Sequence, residues 1–348
     1  PADRMAMIRD WSTATLIVKN GELGVADIAW LGAFTRSRSF DVVHFPDMGA
    51  DQANRYFQLD RPWFFEGVQA LLGPDADEFA GRYKFDIDVA TDERPYFFNF
   101  FRWPVFFEAM SLRDRGGASL VEWGYLVPAA TLLQAMLAGF LLILLPLVLS
   151  AGSRHGGAGW RTGAYFFLLG LAFLFVEIAF IQKFTLFLSH PLYAVAVVLA
   201  GFLVFAGIGS GLSGLLANRA AAKRRSAIRL AVSGIVLLTL FYVLVLPGLF
   251  SAWMEFGDVT RIAFSVLLIA PLALFMGMPF PLGLKQLAEL TPEFIPWAWG
   301  INGFASVISA ALATLLAIEL GFTAVLLLAL LLYLAAAWLA PDRGISPA

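Results

Sequence analysis

The chain of 348 residues contains no cysteine. That excludes a disulfide framework, a thiolate metal site and a cysteine nucleophile. Charge is scarce as well: 14% of residues are charged, against about 25% in an average soluble domain. Disorder, collagen and a nucleic-acid-binding surface are disfavoured by that composition, so no nucleic acid is expected as a partner.

What is present is apolar. Hydrophobic residues make up 59% of the chain, 33 of them Phe, and the mean hydropathy is +0.76. The polar remainder is unevenly spread. Residues 1–124 hold 13 Lys/Arg and 19 Asp/Glu, whereas residues 125–348 hold 11 and 7. This predicts a water-soluble segment followed by an integral membrane domain, with the lipid bilayer as its first partner.

In the soluble segment, Thr13-Ala14-Thr15-Leu16-Ile17-Val18-Lys19 reads as a buried strand, and Asn20-Gly21 as a turn. Apolar positions Val25, Ile28, Ala29, Leu31 and Phe34 predict a helix over 24–37. Phe40-Asp41-Val42-Val43-His44-Phe45 reads as a second strand, so the three elements predict a βαβ unit. A helix is expected at 62–72, then an acidic stretch from Asp75 to Glu78 and an extended run over 85–88. His44, alone at a strand end, reads as a packed or hydrogen-bonded residue. Two or three strands do not complete a sheet, so residues 1–90 read as the tail of an α/β domain whose N-terminal part precedes Pro1.

Residues 91–124 read as an aromatic interfacial linker. Asp92 and Glu93 in Thr91-Asp92-Glu93-Arg94-Pro95-Tyr96 form a charged turn or, alternatively, a carboxylate pair for acid/base work. Adjacent acids project in different directions from most backbones, which favours the turn. Beyond it, apolar runs at about 125–150, 163–188, 191–217, 227–250, 260–284, 297–320 and 322–340 are each long enough to cross about 30 Å of hydrocarbon. Residues 125–340 are thus expected to be a seven-helix domain, and 341–348 a tail. Arg154 and Arg161, the run Arg219, Lys223, Arg224, Arg225 and Arg229, then Lys285 and Arg343 fall on one side by alternation. The positive-inside rule puts that side, with the C-terminus, in the cytoplasm. The opposite side holds Arg113, Arg115 and Arg261.

Glu177 lies near the middle of the second run, a depth at which an ionisable group is costly. At about 100° per residue, Gln182, Thr185 and Ser189 share a polar sector with it, which predicts a face turned to other helices. Glu177 then reads as an interhelical hydrogen-bonding group or as a proton or cation site. Lys183 falls outside the sector, near enough to the end to snorkel to the interface. Gly207-Ile208-Gly209-Ser210-Gly211-Leu212-Ser213-Gly214 is a G-x-G-x-x-G string without its strand and acid, so Gly207 and Gly211 read as a close-packing helix face. Pro279 and Pro281 break the fifth run. Asn302 and Ser306 head a small, polar stripe in the sixth, with Asn302 a candidate partner for the Glu177 sector. His190, in the turn Ser189-His190-Pro191, reads as a turn or capping residue.

Phe40 to Pro46, Thr91-Asp92-Glu93-Arg94-Pro95-Tyr96-Phe97-Phe98, Val176-Glu177 through Gln182-Lys183 to Ser189-His190-Pro191, Gly277-Met278-Pro279-Phe280-Pro281-Leu282-Gly283 and Trp299-Gly300-Ile301-Asn302-Gly303 occur in an order that resembles bacterial membrane-fused spermidine-synthase-like proteins. The resemblance implies a Rossmann-like domain of the S-adenosylmethionine-dependent methyltransferase fold joined to membrane helices in the bacterial inner (plasma) membrane. It implies aminopropyl or methyl transfer, with S-adenosylmethionine or its decarboxylated form as donor in the intact protein and a polyamine or other small cation as substrate. The family's glycine-rich loop, ribose-binding acid and catalytic acids would precede Pro1. No catalytic, cofactor-binding or metal-ligating residue is therefore carried over, and the fragment alone is expected to be inactive. An adenosyl donor is cytosolic, so this reading expects the soluble segment inside, against the charge count. The alternative is a transporter-like or scaffold module whose soluble segment is vestigial or regulatory.

Because the chain has no native thiol, Ala222→Cys reports sidedness directly. The charge count predicts no labelling by a membrane-impermeant maleimide in intact cells and full labelling after permeabilisation. Labelling of intact cells would place the basic loop outside.

Overall fold

A computed structural model describes residues 2–97, 99–111, 123–150, 160–217 and 221–341. Arg113, Arg115, Arg154, Arg219, Arg343 and the 342–348 part of the expected tail lie outside the described residues. The chain divides into two compact units: residues 1–88 with 100–121, and residues 89–99 with 122–348.

In the first unit, β1 (Met5–Arg9) pairs antiparallel with both β2 (Ala14–Val18) and β3 (Asp41–His44), in the order β2-β1-β3. The Asp10 carboxylate closes the β1–β2 turn by accepting the N–H groups of Ser12 and Thr13 at 2.8 and 2.6 Å. Helix α1 (Val25–Arg38) joins β2 to β3 and ends at Ser39 in the left-handed region. The expected strand–helix–strand order is therefore present, although its two strands are not neighbours. β2 and β3 run parallel but are separated by β1, and no Rossmann-like remnant is recognisable in this small sheet. Met5-Ala6-Met7-Ile8-Arg9 lacks the β-branched run that marks a strand, so its claim on both neighbours is invisible in the sequence. Nor is β2 buried: it is an edge strand, with Leu16 58% and Val18 64% exposed.

Asp41 holds this unit together. Its buried carboxylate accepts the Arg9 guanidinium at 3.1 Å and the N–H groups of Arg55, Tyr56 and Phe57 at 2.7, 2.8 and 2.9 Å. Arg9 also donates to the Phe57 carbonyl and lies over the Phe64 ring of α2 (Trp63–Leu72). His44 is packed and bonded, its Nε2 lying 3.2 Å from the Ala2 carbonyl. The acidic stretch forms a short helix, α3 (Ala76–Arg82), because Asp77 and Glu78 suit the positive end of a first turn. Residues 103–111 form α4 (Trp103–Ser111).

In the second unit, seven helices among the described residues are long and apolar enough to cross a membrane, so the chain is an integral membrane protein by length and composition. They are α5 (Trp123–Gly139), running through a π-helical turn into α6 (Leu145–Ser150); α7 (Trp160–Leu188); α8 (Pro191–Ala217); α9 (Ala221–Trp253); α10 (Asp258–Met276) with α11 (Pro279–Leu290); α12 (Ile295–Leu320); and α13 (Phe322–Leu339). Helix α7 is central. Of its most apolar stretch 61% is buried, against 6% for the first span, and α8, α10, α11, α12 and α13 all pack on it.

Close approach of α8 and α10 depends on a glycine other than those expected. A Cβ on Gly209 would lie 2.0 Å from the Leu274 carbonyl oxygen, and one on Gly277 2.0 Å from that of Ala206. Gly207 and Gly211 face open space, being two residues, about 200°, round the helix from Gly209. The break at Gly277-Met278 puts Pro279 and Pro281 in the first turn of α11, where a missing N–H costs nothing. Arg224, expected in a loop, is buried inside α9 and pairs with Glu289 of α11.

Asp41→Ala strands the Arg9 charge and three backbone donors. It is expected to cost about 3–5 kcal/mol, the range for breaking a buried ion pair. Native-state amide exchange across β3 reads this, and exchange at the wild-type rate would show the carboxylate to be dispensable.

Candidate functional site

The chain's charged turn belongs to the helical unit, where it clamps the junction of α12 and α13. Between those helices Gly321 sits at φ +85°, and a Cβ there would lie 3.3 Å from the Glu93 carbonyl oxygen. Only glycine satisfies both conditions without strain. The turn 91–94 then meets the positive end of α13. The Glu93 carbonyl accepts the Phe322 N–H at 3.2 Å, and its Oε2 accepts the Thr323 N–H at 2.9 Å and hydroxyl at 2.7 Å. Its Oε1 pairs with the Lys183 ammonium of α7, which also lies 3.4 Å from the Thr323 hydroxyl. One acid thus satisfies the first amides of one helix and the cation of another, as orphan donors and the helix dipole require. Arg94 reaches the Glu319 carbonyl at the negative end of α12, at 3.4 Å. Tyr96 packs edge-on to Phe322, and burial pushes its hydroxyl up to about 12.

Lys183 thus reaches toward the helix ends, where it finds a partner. It is 9% exposed and held by Glu93, a partner 90 residues away that periodicity along α7 cannot reveal. Burial pushes the Glu93 carboxyl up, but hydrogen bonds from Lys183 and Thr323 and the Lys183 charge outweigh it and hold the group below its ordinary range.

Asp92, beside Glu93 in the turn, is exposed and has no hydrogen-bond or ion-pair partner among the described residues. It stands with Glu93 and Lys183 on a cavity of about 290 Å³ whose other walls include Leu186, Phe187, Leu246, Phe250 and Met254. Phe187 and Phe250 are stacked, with centroids 4.5 Å apart. Arg261 closes this end of α7, donating to the Phe187 carbonyl at 2.8 Å and to Ser189 Oγ at 3.2 Å.

The other candidates do not converge on this cavity. Glu177 is buried on α7, six residues and about 9 Å deeper than Lys183. Gln182 is half-buried, and Thr185 bonds the Ile181 carbonyl of its own helix at 2.7 Å. Asn302 binds α7, but at the Phe166 carbonyl (3.0 Å), eleven residues from Glu177, so it does not serve the Glu177 sector. Ser306 returns to the Asn302 carbonyl at 3.0 Å. Asn302, with Ser309 on the Leu171 carbonyl at 2.9 Å, holds α12 against α7. The Pro279 carbonyl at the helix break accepts the Tyr165 hydroxyl at 2.5 Å. His190 is exposed, its carbonyl accepting the Ala194 N–H at 3.0 Å and its ring lying edge-on to Tyr193. Thr323 and Tyr333 were not singled out by sequence. Thr323, two residues past a glycine at a helix start, carried a capping signal; Tyr333 was one aromatic in an apolar run. Among the described residues no cluster could hold a metal ion.

No family model, no curated protein and no solved structure matches the chain.

Because the folded Glu93 value is the lower one, the clamp's stabilisation is complete above the unfolded glutamate value, about 4.3. It is lost as pH falls through the folded value. Glu93→Gln is expected to lower Tm at pH 7 and to flatten its fall on the acid side. Parallel Tm profiles for variant and wild type would refute the clamp.

Proposed function

We propose that the chain is a transporter-like integral membrane protein whose helical unit takes a small organic cation, of alkylamine or polyamine type, into the cavity beside the Glu93 clamp. The observation that carries this is Asp92. Glu93 and Lys183 compensate each other, which leaves Asp92 as the cavity's uncompensated charge, over walls of Phe, Leu and Met. A carboxylate above an aromatic and aliphatic slot suits an ammonium group with a hydrocarbon chain. The volume, near the lower end for ligand pockets, favours a small molecule.

The cavity lies at the end of the helices opposite the basic run 219–229. On the charge asymmetry it opens to the extracytoplasmic side of a bacterial inner membrane, with the C-terminus in the cytoplasm. The likeness to spermidine-synthase-like proteins supports a polyamine as the cation. Aminopropyl or methyl transfer from an S-adenosylmethionine-type donor has no support beyond that likeness. The buried acid of the first unit, Asp41, is spent on Arg9 and three backbone amides.

Radiolabelled spermidine is expected to bind the purified full chain in nanodiscs and to be displaced by hexylamine but not by hexanol. Asp92→Asn is expected to weaken binding about tenfold or more, as loss of a charge-assisted hydrogen bond does. Absence of binding to wild type, or equal affinity in Asp92→Asn, would overturn the proposal.

A further inference from the structure

Away from the clamp, the membrane-spanning stretches hold few groups that can gain or lose a proton. Among the described residues, their middle carries Glu177, Tyr242 and Tyr333, with Tyr165 nearer the start of α7. Every charged side chain of α8 to α13 lies within about two turns of a helix end. Two of the tyrosines have spent their hydroxyls: Tyr165 donates to the Pro279 carbonyl at 2.5 Å and Tyr242 to the Leu268 carbonyl at 2.6 Å.

Glu177 and Tyr333 have not. They are 5% and 1% exposed. The Tyr333 hydroxyl has no hydrogen-bond partner among the described residues, and neither hydrogen bond nor ion pair reaches the Glu177 carboxyl. They stand on α7 and α13, which pack closely and meet at the Lys183–Thr323 contact; Glu177 lies six residues along α7 from Lys183 and Tyr333 ten along α13 from Thr323, so both come at mid-span depth.

Among the described residues, no counter-charge meets Glu177 at this depth. Helices α8, α10, α11 and α12 bring no charged side chain there, α9 brings Tyr242 already bonded, and α13 brings Tyr333. Lys183, on α7 itself, is held by Glu93. A bare carboxylate without partner or water is heavily penalised in such surroundings, whereas the neutral acid is not. The neutral acid has an O–H to donate, and a tyrosine hydroxyl both donates and accepts.

We infer that Glu177 and Tyr333 form a proton-binding site in the α7–α13 seam, Glu177 carrying the proton and Tyr333 the hydroxyl that holds or relays it. The ligand is a proton alone: loading converts carboxylate to carboxylic acid, and release reverses it. The site does not depend on which cation occupies the cavity near Asp92, so failure of one reading leaves the other standing.

Infrared difference spectra of the full chain in nanodiscs at pH 7, taken on exchange from water to D2O, test it. The wild type is expected to show a protonated-carboxyl stretch that is lost in Glu177→Gln and moved in frequency in Tyr333→Phe. Absence of the band in wild type, its survival in Glu177→Gln, or an unmoved band in Tyr333→Phe would overturn the site. Should Glu177→Gln fail to fold, Glu177→Asp keeps the acid and must move the band; an unmoved band there has the same force.

Discussion

Hydrocarbon offers backbone amides no water, and the helical unit is arranged around that constraint. Within a helix the requirement is met automatically; at a helix end it is not. The ends of α7, α12 and α13 are accordingly met by charged side chains. Glu93 serves the start of α13, Arg94 the end of α12 and Arg261 the end of α7. Each charge has the sign the local helix dipole calls for. The turn 91–97 is a structural part of the bundle for this reason, although its composition resembles that of an exposed loop.

Between the ends, packing does the rest. Phe180, Phe184, Phe187, Phe202 and Phe250 interlock through stacked and edge-on contacts, geometries worth more than their area alone. Glycines let α8 and α10 touch backbone to backbone, which side chains of any size would prevent. Asn302 and Ser309 bond to α7 carbonyls that are already paired along the helix, adding specificity to an interface where the hydrophobic effect supplies little. Against so uniform an interior, a carboxyl and a phenol left without partners stand out, as does a lone carboxylate at the mouth of an aromatic cavity.

The first unit solves the same problem with one buried acid. Asp41 replaces water for the amides of residues 55–57 and neutralises Arg9, tying β1, β3 and the approach to α2 into one network. Such a carboxylate is a poor candidate for chemistry because all its acceptor capacity is committed. Its role was hidden in sequence, where Asp41 is simply the first residue of an apolar strand. The βαβ reading missed the strand that lies between its two members because sequence periodicity ranks strands by their own composition, whereas pairing is settled by what lies beside them. A five-residue run of Met, Ala, Ile and Arg took the central place.

Sequence alone determined the seven membrane-crossing helices, within a few residues at most ends, because a run of some twenty apolar side chains has one stable solution in a bilayer. It also determined that Glu177 is exceptional, since cost at that depth depends on residue type and position only. Tertiary structure decided every partnership: Lys183 with Glu93, Asn302 with Phe166 rather than with the Glu177 sector, Gly209 rather than Gly207 against α10. These depend on which helix faces which, at separations of 90 residues and more for the first two, and no local pattern encodes them. Hydrophobicity decides that a helix enters the membrane; the few polar atoms it carries decide where it stops turning.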